Sequence, residues 1–94
     1  MKRLLSCTSS EMLKMDGQEL KQAILASEGR IVMTETVVAI EPLLGDLTNA
    51  ELAVSFGSDM VLLNCFDCNH PEIKGLPACD NPVDKLKEIV GRPI

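Results

Sequence analysis

One arrangement constrains the fold of this chain more than any other: a helix-like segment stops at glycine, and an apolar run begins within the next few residues. It occurs as ASEGRIVMT at 26–34, SFGSDMVLLN at 55–64 and IVGRPI at 89–94. Glycine suits the residue just past a helix, because the left-handed backbone there strains any side chain with a Cβ. The runs that follow, Ile31-Val32-Met33 and Met60-Val61-Leu62-Leu63, are short and do not alternate with polar residues. That is the pattern of parallel strands covered on both faces.

Helix starts agree with these stops. Thr8 with Glu11, Asp16 with Glu19 and Thr48 with Glu51 have capping-box spacing, and Asn81 is followed by proline, which suits the first helical position. Leu20, Ala23, Ile24 and Ser27 fall on one helical face, as do Val83, Leu86, Ile89 and Val90. The expected order is α-α-β-α-β-α-β, with a leading helical segment over 1–28 and alternating βα units over 29–94. The fold class is therefore α/β with parallel strands. Gly29 and Gly57 are 28 residues apart and Gly57 and Gly91 are 34 apart. Eight units of that mean length make about 248 residues, close to the ~250 of a (βα)8 barrel. Arg92-Pro93-Ile94 reads as the opening of a third strand, so the chain is expected to be a truncated barrel.

VMTETVV at 32–38, the Gly-Ser-Asp-apolar turn from Gly57 to Asn64, and KLKEIVGRPI at 85–94 together resemble the first two and a half units of a TIM barrel. The similarity is to the phosphoenolpyruvate mutase-like and BtpA-like barrels, and it covers residues 29–94. It implies an enzyme, in the intact protein, acting on a small anionic or phosphorylated metabolite. The acidic metal-binding signature of the mutases is missing, so their chemistry is not carried over and no cofactor is assigned. Barrel enzymes work at the carboxyl ends of their strands. Glu35, Asn64 and Asp67 stand at those ends and are the candidate catalytic residues, as general acid or base or as oxygen ligands of Mg²⁺. Each also has an ordinary reading, Glu35 as a cap or ion-pair partner and Asp67 as a solvated loop residue.

Composition narrows the partners. The chain has no Trp or Tyr, two Phe and a net charge of −5, which removes both the stacking platforms and the basic surface that nucleic-acid binding uses. MKRLLSC at the start lacks the apolar stretch of a signal peptide, and no run approaches a membrane span. A cytoplasmic protein with reduced Cys7, Cys65, Cys68 and Cys79 is expected.

LLNCFDCNHP at 62–71 raises a zinc site through Cys65, Cys68, His70 and Cys79. Histidine two residues after the second cysteine fits paired zinc ligands poorly. Nor does Cys-Phe-Asp-Cys open a helix that would lower a thiol pKa for redox work. LLN is read as the end of a strand and CFDCNHP as the start of its loop. The segments from Val37 to Leu47 and from Phe66 to Asp80 are long for βα loops. Val37-Val38-Ala39-Ile40 could instead prolong the first strand, while Leu43, Leu44, Ile73 and Leu76 need cover. Met12, Leu13 and Met15 are expected to close the amino end of the barrel. The rival to an enzyme is a non-catalytic α/β module that binds copies of itself through unpaired strand edges.

Overall fold

The computed structural model describes residues 2–94. A single 3-10 turn at Leu4–Ser6 leads into helices α1 (Ser9–Leu13) and α2 (Gly17–Ala26). Strand β1 (Met33–Val37), helix α3 (Asn49–Ser55), strand β2 (Met60–Asn64) and helix α4 (Pro82–Val90) follow. The protein is a small α/β domain whose two strands run parallel, as expected.

Capping explains where the helices begin. Thr8 and Asp16 both form complete capping boxes, each side-chain oxygen accepting from the backbone N–H of the glutamate three residues on. At α3 the box is half made: Thr48 accepts from the Glu51 N–H, but the Glu51 carboxylate takes the Thr48 hydroxyl instead of its backbone. Gly91, with φ 63°, ends α4 in the left-handed conformation that the repeat predicts.

Strand β1 starts two residues later than the apolar run suggests, and Asp59 is the reason. Its carboxylate accepts from the Val32 N–H at 2.9 Å, and its own N–H donates to the Val32 carbonyl at 2.8 Å. Val32 is thus held by a side chain and the regular ladder begins at Met33. At the other end the Val38 N–H donates to the Asn64 carbonyl, after which the chain turns inward and Val38 is buried. Of the run Val37 to Ile40, only Val37 therefore belongs to the strand.

The register pairs Met33 with Met60, Glu35 with Leu62 and Val37 with Asn64. Strand alternation then puts Thr34, Thr36, Val61 and Leu63 toward the helices. Val61, Val38, Ala50, Ile73, Leu86 and Val90 form the main core between the sheet, α3 and α4. The hydroxyls on this face are satisfied: Thr34 donates to Ser58 at 2.8 Å, and Ser58 donates to the Met60 carbonyl at 2.6 Å. The opposite face is bare, with Met33 54% and Leu62 43% exposed. Cover on both faces was expected; among the described residues only one is covered.

A second core closes the amino end of the sheet. Leu4, Met12 and Ala23 are buried there, with Met15, Ile31 and Met60 packed against them. Met12 and Met15 belong to this core, whereas Leu13 is exposed. Ser27 ties this layer together, accepting from the Leu4 N–H and donating to the Ala23 carbonyl. On the far side of β2 the Val61 N–H donates to the Pro93 carbonyl at 3.0 Å, so residues 92–94 lie where a third strand would begin.

The two long loops pack on each other. Lys74 donates its N–H to the Val38 carbonyl, and Ile73 and Leu76 find cover in the main core, while Leu43 and Leu44 remain exposed. Gly75 sits at the contact with φ +92°, and a Cβ there would fall 2.7 Å from Pro42 Cγ and 3.1 Å from the Leu47 carbonyl oxygen. Gly17, in the first turn of α2, has open space around its Cβ position and no positive φ. Gly75→Ala should therefore cost about 1–3 kcal/mol in urea denaturation, while Gly17→Ala should add about 0.4–1 kcal/mol by restricting the unfolded chain. Equal effects of the two substitutions would contradict the loop contact.

A pH effect follows from the first capping box. The Glu11 carboxyl is held below its ordinary value of 4.5, chiefly by the Thr8 backbone N–H and then by the Lys2 ammonium. Its folded value lies below its unfolded one, so the ionised group stabilises the fold above the unfolded value and that contribution disappears as pH falls through the folded value. The stability difference between wild type and Glu11→Gln, followed by circular dichroism, should be present at neutral pH and vanish as the pH falls through the lowered folded value.

Candidate functional site

The carboxyl ends of β1 and β2 carry the polar residues that the strand pattern singles out. Glu35 pairs in register with Leu62, and Asn64 lies two residues beyond Leu62 on the same bare face. Glu35 and Asn64 thus share one sheet surface, both exposed. Glu35 also borders an open apolar hollow of about 420 Å³ along the unpaired edge of β1, walled by Ile40, Leu43, Leu52 and Phe56.

Asp67 stands apart from Glu35, in the loop after β2. It lines a second hollow of about 190 Å³ together with Cys65, His70, Glu72 and Lys74. A tight turn holds it there: one carboxylate oxygen accepts from the Asn69 N–H at 2.9 Å, and its carbonyl accepts from the His70 N–H at 3.2 Å. The other carboxylate oxygen lies 3.6 Å from His70 Nδ1, an ion-pair distance that is long for a hydrogen bond. Glu72 is matched by Lys74 at 3.3 Å. The three residues proposed from the strand pattern are therefore split between two neighbouring sites.

Cys65 links them. It follows Asn64 directly, donates its thiol to Asn64 Oδ1 at 3.7 Å, and holds the left-handed φ of +63°. A non-glycine residue in that region costs of order 1 kcal/mol or more, and such outliers cluster at functional sites. Sequence reasoning placed Cys65 at the start of a loop and weighed it only as a zinc ligand or redox thiol, both set aside. Glu72 and Lys74 were missed altogether, since nothing in their spacing shows that the loop doubles back to the end of β1.

As for chemistry, the second hollow brings a thiol, an imidazole, two carboxylates and an ammonium to the end of a strand. The zinc set does not converge: among the described residues no group of three or more His, Cys, Asp or Glu is placed to hold a metal ion. Cys65, Cys68 and Cys79 are exposed free thiols, and Cys7 lies in the leading segment, its thiol donating to the Arg3 carbonyl.

The family described as "Domain of unknown function (DUF7916)" matches residues 5–94. The chain belongs to that family. No curated protein and no solved structure matches it. The DUF7916 match takes in the leading helices as well as the βα units, and both hollows lie inside it. No helix among the described residues is long and apolar enough to cross a membrane.

Elemental analysis after equilibration with zinc and gel filtration should find less than one bound ion per chain. A stoichiometric zinc that Cys68→Ser abolishes would show that the loop closes around metal after all.

Proposed function

We propose that this DUF7916 chain contributes the opening βα units of a (βα)8 barrel similar to the phosphoenolpyruvate mutase-like and BtpA-like proteins. On this reading the intact protein is a cytoplasmic enzyme acting on a small anionic or phosphorylated metabolite. The observation that carries the proposal is the one-sided sheet. β1, β2 and residues 92–94 follow one another in sequence order, the helices that connect them pack together on one face, and the other face presents Met33, Glu35 and Leu62 uncovered. A doubly wound sheet would place helices on both faces, whereas a barrel leaves one face for its own interior. Glu35 and Asn64 would then point toward the barrel lumen near its catalytic mouth, with Asp67 on the rim. The leading helices lie at the opposite, amino end, where barrels carry stability rather than catalysis.

A second reading is favoured by the edge of β1. Among the described residues its outer N–H and C=O groups have no ladder partner, and beside them Phe56 is 86% and Leu43 79% exposed. Such an edge with an apolar flank invites another strand. In the barrel this is the place of the closing units; in a self-associating module it is the place of a second copy.

Two measurements separate the readings. The mass of the protein in its own cells should correspond to about 250 residues if the barrel is right. A native product of 94 residues would reject the barrel and leave the module. For the 94-residue chain itself, light scattering should show concentration-dependent association that Met33→Lys with Phe56→Asp weakens. A strictly monomeric wild-type chain would reject the module. In the intact protein, Glu35→Gln and Asp67→Asn should each lower turnover on phosphorylated metabolites by ~100-fold or more while leaving the fold intact.

A further inference from the structure

We infer that the unpaired edge of β1 takes an extended polypeptide segment in which apolar residues alternate with Lys or Arg. The register supplies the alternation. A strand laid beside β1 directs its side chains to the two faces in step with it, one set beside Thr34 and Thr36, the other beside Met33, Glu35 and Val37. The first set enters the hollow of about 420 Å³ between the strand edge and α3, whose walls include Ile40, Leu43, Leu52 and Phe56, so its members are apolar. The second set lies on the bare face, and its central member stands beside Glu35.

Charge decides what that member is. Glu35 is exposed and forms no ion pair among the described residues. No cation stands near it in sequence either: none of the nine Lys and Arg lies between Arg30 and Lys74, whereas seven of the fourteen Asp and Glu do. The residues that line the hollow, from Thr34 to Phe56, all fall inside this stretch. Opposite charges stabilise a cross-strand pair and like charges destabilise it. The residue that complements Glu35 is therefore Lys or Arg.

The same rule makes a second copy the weaker occupant. Glu35 is the central residue of β1, so antiparallel pairing of two β1 edges in full register sets the two Glu35 carboxylates directly opposite each other. Neither strand of a copy offers a Lys or Arg to replace them. In the proposed barrel the inferred pattern belongs to the strand that closes on β1. That assignment of the segment rests on the barrel reading; its alternation and its charge rest on the β1 register and on Glu35.

The test is fluorescence anisotropy with two labelled synthetic peptides added to the 94-residue chain, one alternating Val with Lys and the other Val with Glu. At low salt the Lys peptide should bind about fivefold tighter than the Glu peptide. Glu35→Lys should reverse that preference, whereas Glu88→Lys, an equal change of net charge on α4, should leave it in place. Phe56→Ala, at an exposed position, should weaken both peptides. A peptide of the same composition with its lysines in one block should bind more weakly than the alternating one. Equal binding of the Lys and Glu peptides, a preference that survives Glu35→Lys, equal binding of block and alternating peptides, or binding unchanged in Phe56→Ala overturns the assignment. So does a wild-type dimer that Phe56→Ala dissociates and the Lys peptide does not, which would make a second copy the occupant. A Glu35-dependent preference for the Lys peptide, found with a native product of 94 residues, would keep this inference while the barrel reading falls.

Discussion

The register between β1 and β2 is the constraint on which the rest of the domain depends, and Asp59 sets it. A slip of one strand by one residue moves all of that strand's side chains to the other face of the sheet. Slipping β1 against β2 would send Thr34 and Thr36 into solvent and put Met33 and Glu35 under α3 and α4. The two Asp59 contacts to Val32 grip the amino end of β1 from the start of β2, before the ladder begins. Ser58 adds a second hold, accepting from Thr34 and donating to its own strand at Met60. The Gly-Ser-Asp turn is therefore a structural device. Gly57, at φ +102°, stops the helix, Ser58 satisfies the half-buried Thr34 hydroxyl opposite, and Asp59 aligns the neighbour.

Much of this architecture was legible because it depends on local chemistry. Glycine stops, cap residues three positions before a glutamate, and short apolar runs each report on the few residues around them. All four helices and both strands follow from such signals. What was not legible depends on distant segments. Nothing in VVAIEPLLG shows that Pro42 will press against Gly75, and nothing in the β2 loop shows that Lys74 will bond to Val38. The start of β1 was misplaced because a side chain from residue 59 replaced the expected ladder bond. Continuous apolar runs were read as cover on both faces. They in fact mark residues facing the helices in alternation with residues that face an uncovered surface.

The candidate site divides along the same line. Glu35 and Asn64 could be named from sequence because a strand end is a local feature, and the register then places them on one face. Their relation to Asp67 could not be named. The loop after β2 turns at Asp67 and returns through Ile73 to the end of β1, and it is this return, anchored by the buried Ile73, that forms the polar hollow. The loop is long for a βα connection because it does the work of a wall.

The placement of the two hollows also bears on how a domain this small remains ordered. Burial is concentrated between the helices and one sheet face, and at the amino end under Leu4, Met12 and Ala23. The carboxyl end is built instead from turns, short backbone bonds and paired charges. Buried apolar contacts resist local opening, whereas exposed hydrogen-bonded loops open at little cost. The amino end is thereby the rigid base, and the loops that carry Cys65, Asp67 and His70 are the part that opens more readily. Ile73 limits that freedom. It is buried at 3% exposure three residues beyond His70, so a packed side chain anchors the loop beside the strand end.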